Sequence, residues 1–326
     1  MKSEILRLLK REEGYLSGQE LCNRLQVSRT AIWKIMNQLK EEGYQIDSVS
    51  NRGYHLEKCP DIVTGEELES ELEGRVFGHE VYYKEEMDST NVQAKKLAEQ
   101  GIANHGYLVT AEKQTNGKGR RGRSWSSPKG TGIWMSLVLK PDISPYNASM
   151  LTLVTALAVN RVIREQTGLE SYIKWPNDIV VNGKKVCGIL TEMSSELDYI
   201  HYVVIGIGIN VNTKDFPEEI SERATSLFIE SHKTYKRSRI IEKIMEYLEF
   251  YYEQFTLNQD LRLLLTEYNQ MLINIENKVV VQEKQTSFEG IAKGINEKGE
   301  LLVQTEKGIR TVMSGEVSVR GIYGYV

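Results

Sequence analysis

The stretch GKGRRGRSWSSPKGTG, residues 117–132, limits the fold more than any other part of the chain. Gly117, Gly119 and Gly122 satisfy G-x-G-x-x-G, the turn of a dinucleotide-binding fold, but that turn must open a helix at its glycines. The residues that follow include Ser126, Ser127, Pro128, Gly130 and Gly132, and they do not make a helix. A Walker-type phosphate loop is excluded too, because no Lys-Ser/Thr pair follows Gly122. What remains is a loop between two strand-like runs, GYLVTAE at 106–112 and GIWMSLVLK at 132–140. Between positions 113 and 123 it carries Lys113, Lys118, Arg120, Arg121 and Arg123 and no acid. Glycines let a backbone fold closely around a ligand, and guanidinium groups match phosphate oxygens in pairs. An anion clamp is one reading; a basic surface loop or a nucleic-acid contact is the other that this chemistry leaves open.

The rest of the composition narrows the class. With 326 residues the chain has room for two or three domains. Its net charge of -4 supplies no global field for nucleic acid, so any polyanion contact must be local. Residues 1–60 nevertheless hold ten Lys/Arg against eight Asp/Glu. Cys22, Cys59 and Cys187 are too few and too scattered for a disulfide framework or a zinc site. His79, His105 and His201 have no ligand spacing either, so no protein metal site is expected. The start, MKSEILRLLKREEG, lacks the apolar core of a signal peptide, and no apolar run reaches the ~20 residues of a membrane span. A cytoplasmic protein without membrane contact is expected.

The periodicity divides the chain. Ile5, Leu8 and Leu9 mark a helix over 3–13 that Gly14 should end, and residues 17–25 read as a second helix. After a tight turn, Ser28 is placed to cap a third, in which Ile32, Ile35, Met36 and Leu39 face inward. Arg29, Thr30, Trp33, Lys34 and Asn37 fall on its opposite face, a donor-rich surface without an acid. A hairpin around 51–53 completes a winged helix-turn-helix over 1–60, with DNA as the expected ligand and a plain helical packing module as the alternative. A linker over 57–66 leads into a second domain, 64–273. There a long apolar helix spans 147–168, Asn182–Gly183 makes a two-residue hairpin turn between Ile179–Val181 and Val186–Met193, and amphipathic segments cover 239–256 and 260–273. From 277 to 326 short strands punctuated by Gly290, Gly294, Gly299, Gly308 and Gly315 predict a small β-barrel.

Three further stretches bear on the clamp: KWPND with Lys174, Asn177 and Asp178, KKVCGIL with Lys185 and Gly188, and GIGIN ending at Asn210. Cations and amides at strand ends beside small residues suit the mouth of a pocket. Together with DSTN at 88–91 and AEKQTNGKGRRGRSW at 111–125, these stretches resemble, in order and approximate spacing, the biotin–protein ligase family. Within that family they look like its bifunctional bacterial form, which is also the biotin operon repressor. Lys118 departs from the pattern, since many members carry Arg there; the charge is kept and the bidentate fork is not.

The resemblance implies an α+β multidomain fold: the winged helix-turn-helix, a central α/β catalytic domain with a mainly antiparallel sheet, and an SH3-like barrel. It implies ATP-dependent formation of biotinyl-5′-AMP, with release of pyrophosphate. Biotin then passes to a lysine of an acceptor such as the biotin carboxyl carrier protein of acetyl-CoA carboxylase. It also implies repression of biotin-synthesis genes by a homodimer that forms when the chain is loaded with biotinyl-5′-AMP. By matching positions, Ser89, Thr90, Asn91 and Gln114 hold the ureido ring of biotin, and Gly188, beside Lys185, is a further biotin contact. Lys118, Gly119, Arg120 and Lys185 face its carboxylate and the phosphates, and Trp125 covers the apolar part. Gly117, Arg121, Lys174, Asn177 and Asn210 join Lys118 and Arg120 on the ATP side. Lys185, Arg120, Lys118 and Asp178 are the catalytic candidates, and Mg²⁺ is expected to ride mainly on the nucleotide. Two rivals stay open: a lipoate-type acyl ligase on the same fold, and a ligand-sensing regulator without catalysis.

Overall fold

The computed structural model describes residues 1–282, 286–314, 318–321 and 325–326. It opens with α1 (Lys2–Arg11), α2 (Gly18–Leu25) and α3 (Arg29–Glu41), followed by the hairpin β1 (Gln45–Val49) and β2 (Gly53–Lys58). Ser17 and Ser28 cap α2 and α3, their hydroxyls accepting from the N–H groups of Glu20 and Ala31. The expected inward stripe of α3 is buried. Two details of α1 differ from expectation. Leu6 rather than Leu8 completes its buried face, and the helix ends at Arg11, where Glu12 turns extended before Gly14 is reached. The unit keeps its own core, built on Leu6, Leu9, Leu21, Ile32, Met36 and Leu39.

The central part runs α4 (Gly65–Glu71), β3 (Val81–Met87), α5 (Thr90–Glu99), β4 (Tyr107–Gln114), β5 (Gly132–Leu139), α6 (Leu151–Thr167), β6 (Ser171–Lys174), β7 (Asp178–Val181), β8 (Lys184–Ser195) and β9 (Ile200–Asn210). Its seven strands are ordered β3-β4-β5-β9-β8-β7-β6. Only β3 and β4 pair in parallel, with α5 as their crossover; the other pairs are antiparallel. The basic stretch 115–131 is irregular apart from one short turn at Arg120–Gly122, in keeping with a loop that opens no helix. α6 is apolar on nearly every side because it lies between the sheet and α9 (Arg237–Asn258), and Gly168 ends it in the left-handed conformation. Between β9 and α9 come two short helices, α7 (Glu218–Ser221) and α8 (Leu227–Ser231). The segment expected to be helical over 260–273 is so only in α10 (Leu265–Gln270).

The C-terminal strands β10 (Lys278–Gln282), β11 (Ser287–Ile295), β12 (Leu301–Thr305), β13 (Gly308–Val312) and β14 (Ser318–Gly321) form one antiparallel sheet in the order β13-β12-β11-β10-β14. Gly315, expected to punctuate it, lies outside the described residues. Val279, Val281, Ala292 and Leu301 belong to the same continuous core as α6 and α9, so this sheet is packed onto the central part.

Candidate functional site

A cleft opens over β8 and β9, between the start of α5 and the basic loop. Ser89, Asn91, Gln114, Lys118, Gly119, Arg120, Trp125, Asn177, Lys185 and Gly188 line it, as do Leu190, Gly206 and Gly208. One end is a chain of hydroxyls and amides backed by a carboxylate–ammonium pair. The Thr90 N–H and hydroxyl donate to Gln114 Oε1 at 2.8 and 3.1 Å, and Gln114 Nε2 donates to Ser127 Oγ at 2.8 Å. Ser136 Oγ lies 2.7 Å from Thr90 Oγ1 and 2.6 Å from Asn91 Oδ1. Asn91 Nδ2 donates to Glu192 at 2.8 Å, and Lys95 pairs with the other Glu192 oxygen at 2.7 Å. Burial pushes the Glu192 carboxyl up, but Lys95 and Asn91 outweigh it and hold the group below its ordinary value. Such a fully partnered chain presents donors and acceptors in fixed positions.

The floor of the cleft explains the GIGIN pattern. Gly188 stands opposite Gly208 and Leu190 opposite Gly206 across the β8–β9 ladder. A Cβ on Gly206 would lie 2.1 Å from Asn91 Oδ1, and one on Gly208 would lie 2.7 Å from the Trp125 indole nitrogen. The glycines are therefore the spaces that Asn91 and Trp125 occupy. Trp125 lies across them, edge-on to Trp134 at 6.5 Å, with Lys185 Nζ 5.0 Å from its ring centroid. Its Nε1 is buried with no hydrogen-bond acceptor in the structure, a donor facing the cleft's apolar middle.

The other end is charged. Lys185 Nζ pairs with Asp178 Oδ1 at 2.6 Å, and the Tyr325 hydroxyl donates to Asp178 Oδ2. Lys174 Nζ sits 3.2 Å from the centroid of the Tyr325 ring. Arg120 donates to Asn177 Oδ1 at 2.7 Å and to the Ser314 carbonyl at 2.6 Å. Burial lowers the affinity of the Arg120 guanidinium for its proton, while Asp178 works against that shift. The Lys185 backbone is stitched to residues 223–225, its N–H donating to Arg223 O and its carbonyl accepting from Thr225.

The basic loop is held by its own backbone. Trp125 N–H donates to Gly117 O at 2.8 Å and Gly119 N–H to Arg123 O at 2.7 Å. A Cβ on Gly117 would meet the Trp125 carbonyl at 2.4 Å, so the close approach needs glycine there. Arg121 is exposed and in the left-handed conformation, φ 59°, and does not line the cleft. Asn210 is buried, with its amide donating to Thr225 O at 3.0 Å, so it holds the 223–225 segment at the cleft's edge. No cluster of three or more His, Cys, Asp or Glu side chains suited to a metal exists among the described residues. Asp178 is the carboxylate at the cationic end, which suits an ion carried by phosphates better than a protein cage.

On α3, Arg29, Thr30, Trp33 and Lys34 are exposed, Trp33 by 58%, and Asn37 is half-buried. Arg29 donates to Gln19 on α2 at 2.8 Å. Sequence reasoning missed Ser127, Ser136, Glu192, Ser314 and Tyr325. Period-2 alternation places Gly188, Leu190 and Glu192 on one face of β8 and could have found Glu192. Ser314 and Tyr325 come from the C-terminal sheet region, and no local pattern signals a contact across so many residues.

Comparison with known proteins adds three domain matches: an HTH domain over residues 2–55, the biotin/lipoate A/B protein ligase family over 83–210, and the biotin protein ligase C-terminal domain over 276–320. The chain is 39% identical to the bifunctional ligase/repressor BirA of Bacillus subtilis, over 94% of each protein. It is 28% identical to that of Escherichia coli, over 93% of this chain and 92% of the relative. Among solved structures, the biotin protein ligase of Aquifex aeolicus in complex with biotin and ATP superposes with a TM-score of 0.66 at 32% identity, covering 74% of this chain and 98% of that one.

Proposed function

The chain belongs to the biotin–protein ligase family, in the branch that carries a DNA-binding domain, and from that premise we propose how its residues divide the work. It is an ATP-dependent biotin–protein ligase and a repressor of biotin genes. The observation that carries the reading is the polarity of one cleft: a hydrogen-bonding chain of hydroxyls and amides at one end, a glycine floor under Trp125, and cations at the other. Biotin has the same order, with a ureido ring, a thioether ring and aliphatic chain, and a carboxylate.

In this reading Ser89, Thr90, Asn91 and Gln114 hold the ureido ring, and Trp125 covers the apolar middle. The first step brings a biotin carboxylate oxygen onto the α-phosphorus of ATP; a P–O bond forms and pyrophosphate leaves. Two anions must meet, so placing cations between them matters more than moving protons. Lys185 and Arg120 lie at that end, and Lys118, Lys174 and Asn177 surround the phosphates. Asp178 holds Lys185 in position and is the group available to an ion bound to the nucleotide. Mg²⁺ would supply charge neutralisation there. In the second step the amine of an acceptor lysine attacks the mixed anhydride and AMP leaves. The acceptor is a biotin carboxyl carrier domain. The loaded chain dimerises in the cytoplasm, and its two α3 faces read a two-fold operator.

The experiment incubates the full chain with biotin, ATP, magnesium chloride and a purified biotin carboxyl carrier domain, then maps modified lysines by mass spectrometry. One biotinylated lysine on the carrier supports the reading. An unmodified carrier, with ATP intact, overturns it.

A further inference from the structure

Arg237, the first residue of α9, is 1% exposed, and its guanidinium joins three distant segments. Its backbone N–H and Nε donate to the Asp61 carboxylate at 2.9 and 3.0 Å, and Nη2 donates to the Asp61 carbonyl at 2.8 Å. Nη1 and Nη2 reach the Glu112 carboxylate at 2.8 and 3.2 Å, and Nη1 reaches the Gly132 carbonyl at 3.1 Å. Asp61 lies in the connector between the winged helix and the sheet. Glu112 stands two residues before Gln114, and Gly132 is where the chain re-enters the sheet after the basic loop. One side chain therefore grips both roots of that loop and the connector of the DNA-binding unit.

A second set of bonds follows the same route. Val63 N–H donates to Glu112 Oε1 at 3.3 Å, and Asn212 Nδ2 donates to Asp61 Oδ2 at 3.1 Å. Asn212 lies two residues past the end of β9, whose Asn210 pairs with Gly132. None of these groups lines the ligand cleft.

We infer that Arg237 is a positioning residue that couples closure of the basic loop to the connector of the DNA-binding unit. The inference rests on the proposed function, in which Trp125 and Arg120 of that loop cover the bound intermediate and the loop closes on it as an anion clamp. A buried planar fork with every direction engaged cannot follow a shift of Glu112 or Gly132 without moving Asp61 or breaking a charge-assisted bond. A packed, bonded junction of this kind passes on a small displacement rather than absorbing it. By linkage, restraint of the connector acts equally on the loop.

The test is hydrogen–deuterium exchange on the full chain, with and without biotin, ATP and magnesium chloride, in the wild type and in Asp61→Ala. That variant cuts the side-chain tie while leaving Arg237 on Glu112 and Gly132. In the wild type, exchange should slow both in 115–126 and in the connector at 57–66, the latter by about fivefold or more. In Asp61→Ala the loop should still respond and the connector response should shrink, because only the Asp61 carbonyl and the Val63–Glu112 bond then tie the connector to the loop roots. A wild-type connector that ignores ligand while the loop responds overturns the inference alone, and so does an equal connector response in the variant. A loop that does not respond overturns the cover reading along with it. Should Asp61→Ala fail to fold, the wild-type comparison by itself still decides whether the connector responds.

Discussion

At Gly206 one methyl group is enough to test the proposed biotin end of the cleft. A Cβ there would stand 2.1 Å from Asn91 Oδ1, so Gly206→Ala must displace an amide that Ser136 and Glu192 hold from either side. Overpacking of this kind costs about 1–3 kcal/mol, which raises the Kd for biotin roughly 5- to 150-fold by calorimetry. A Kd within twofold of wild type would remove Asn91 from the biotin contacts. At the other end, Lys185→Ala should abolish most pyrophosphate release while biotin still binds, because Lys185 lies with Asp178 at the charged end and away from the amides and hydroxyls of the opposite end. Wild-type pyrophosphate release in that variant would reject a charge-stabilising role. At this scale the sequence was partly readable. The polar and cationic candidates stood out by type, whereas the glycines of GIGIN entered only as small residues beside Asn210. Their meaning is a distance between a missing Cβ and two side chains from elsewhere in the chain.

Among the elements, the basic loop and α4 each carry a prediction. The loop leans on the cleft through Trp125 and reaches Asn177 and Ser314 through Arg120. Arg120→Gly should loosen its hold on biotinyl-adenylate by roughly ten- to hundred-fold, the worth of one charge-assisted hydrogen bond at about 1.5–3 kcal/mol. Escaped adenylate should then label lysines of an unrelated protein, read on a biotin blot; wild-type labelling despite normal adenylate formation would show that the loop is no cover. On α4, Glu67 is fully buried and accepts from Lys10 of α1, from Lys236 and from Tyr44. Burial alone would raise its carboxyl, but Lys10 and Lys236 outweigh that and hold it below the ordinary value of 4.5. A depressed carboxyl contributes stability above its unfolded value, and that contribution is lost as pH falls through the folded value. Docking of α1 on α4 should therefore hold at neutral pH and weaken progressively as pH falls below about 4.5 toward the lower folded value, seen as faster proteolysis in the 57–66 connector. Glu67→Gln should show no such acid dependence; an identical pH profile would exclude Glu67 as the titrating group. Helices and strands with strong periodicity were legible from the sequence. β3 and α5 were not, because YYKEE alternates poorly and the N-terminal turn of α5 is made of polar residues, Thr90 and Asn91, that read as candidate ligand contacts.

For the whole molecule, the apolar cores divide the chain once. The winged helix keeps its own core, while the C-terminal strands share that of α6 and α9. We expect a fragment of residues 64–326 to fold and bind biotin, since Glu67 keeps Lys236 and Ser238 when Lys10 and Tyr44 are gone. An unfolded circular dichroism spectrum would contradict this. Operator affinity should fall steeply with salt and weaken in Arg29→Ala and Lys34→Ala with ligation unchanged, measured by gel shift and carrier biotinylation; unaltered affinity in both variants would move the DNA contact off α3. Domain order was legible because each unit has its own hydrophobic period. The contacts of Ser314 and Tyr325 with the charged end were not, since only the folded chain brings them there. The claim on which the account turns is that this cleft activates biotin with ATP. Exchange of labelled pyrophosphate into ATP measures that step without acceptor or DNA, with lipoate as the competing acid. The account predicts exchange that depends on biotin and is far weaker with lipoate. No biotin-dependent exchange, or exchange as fast with lipoate, would contradict it.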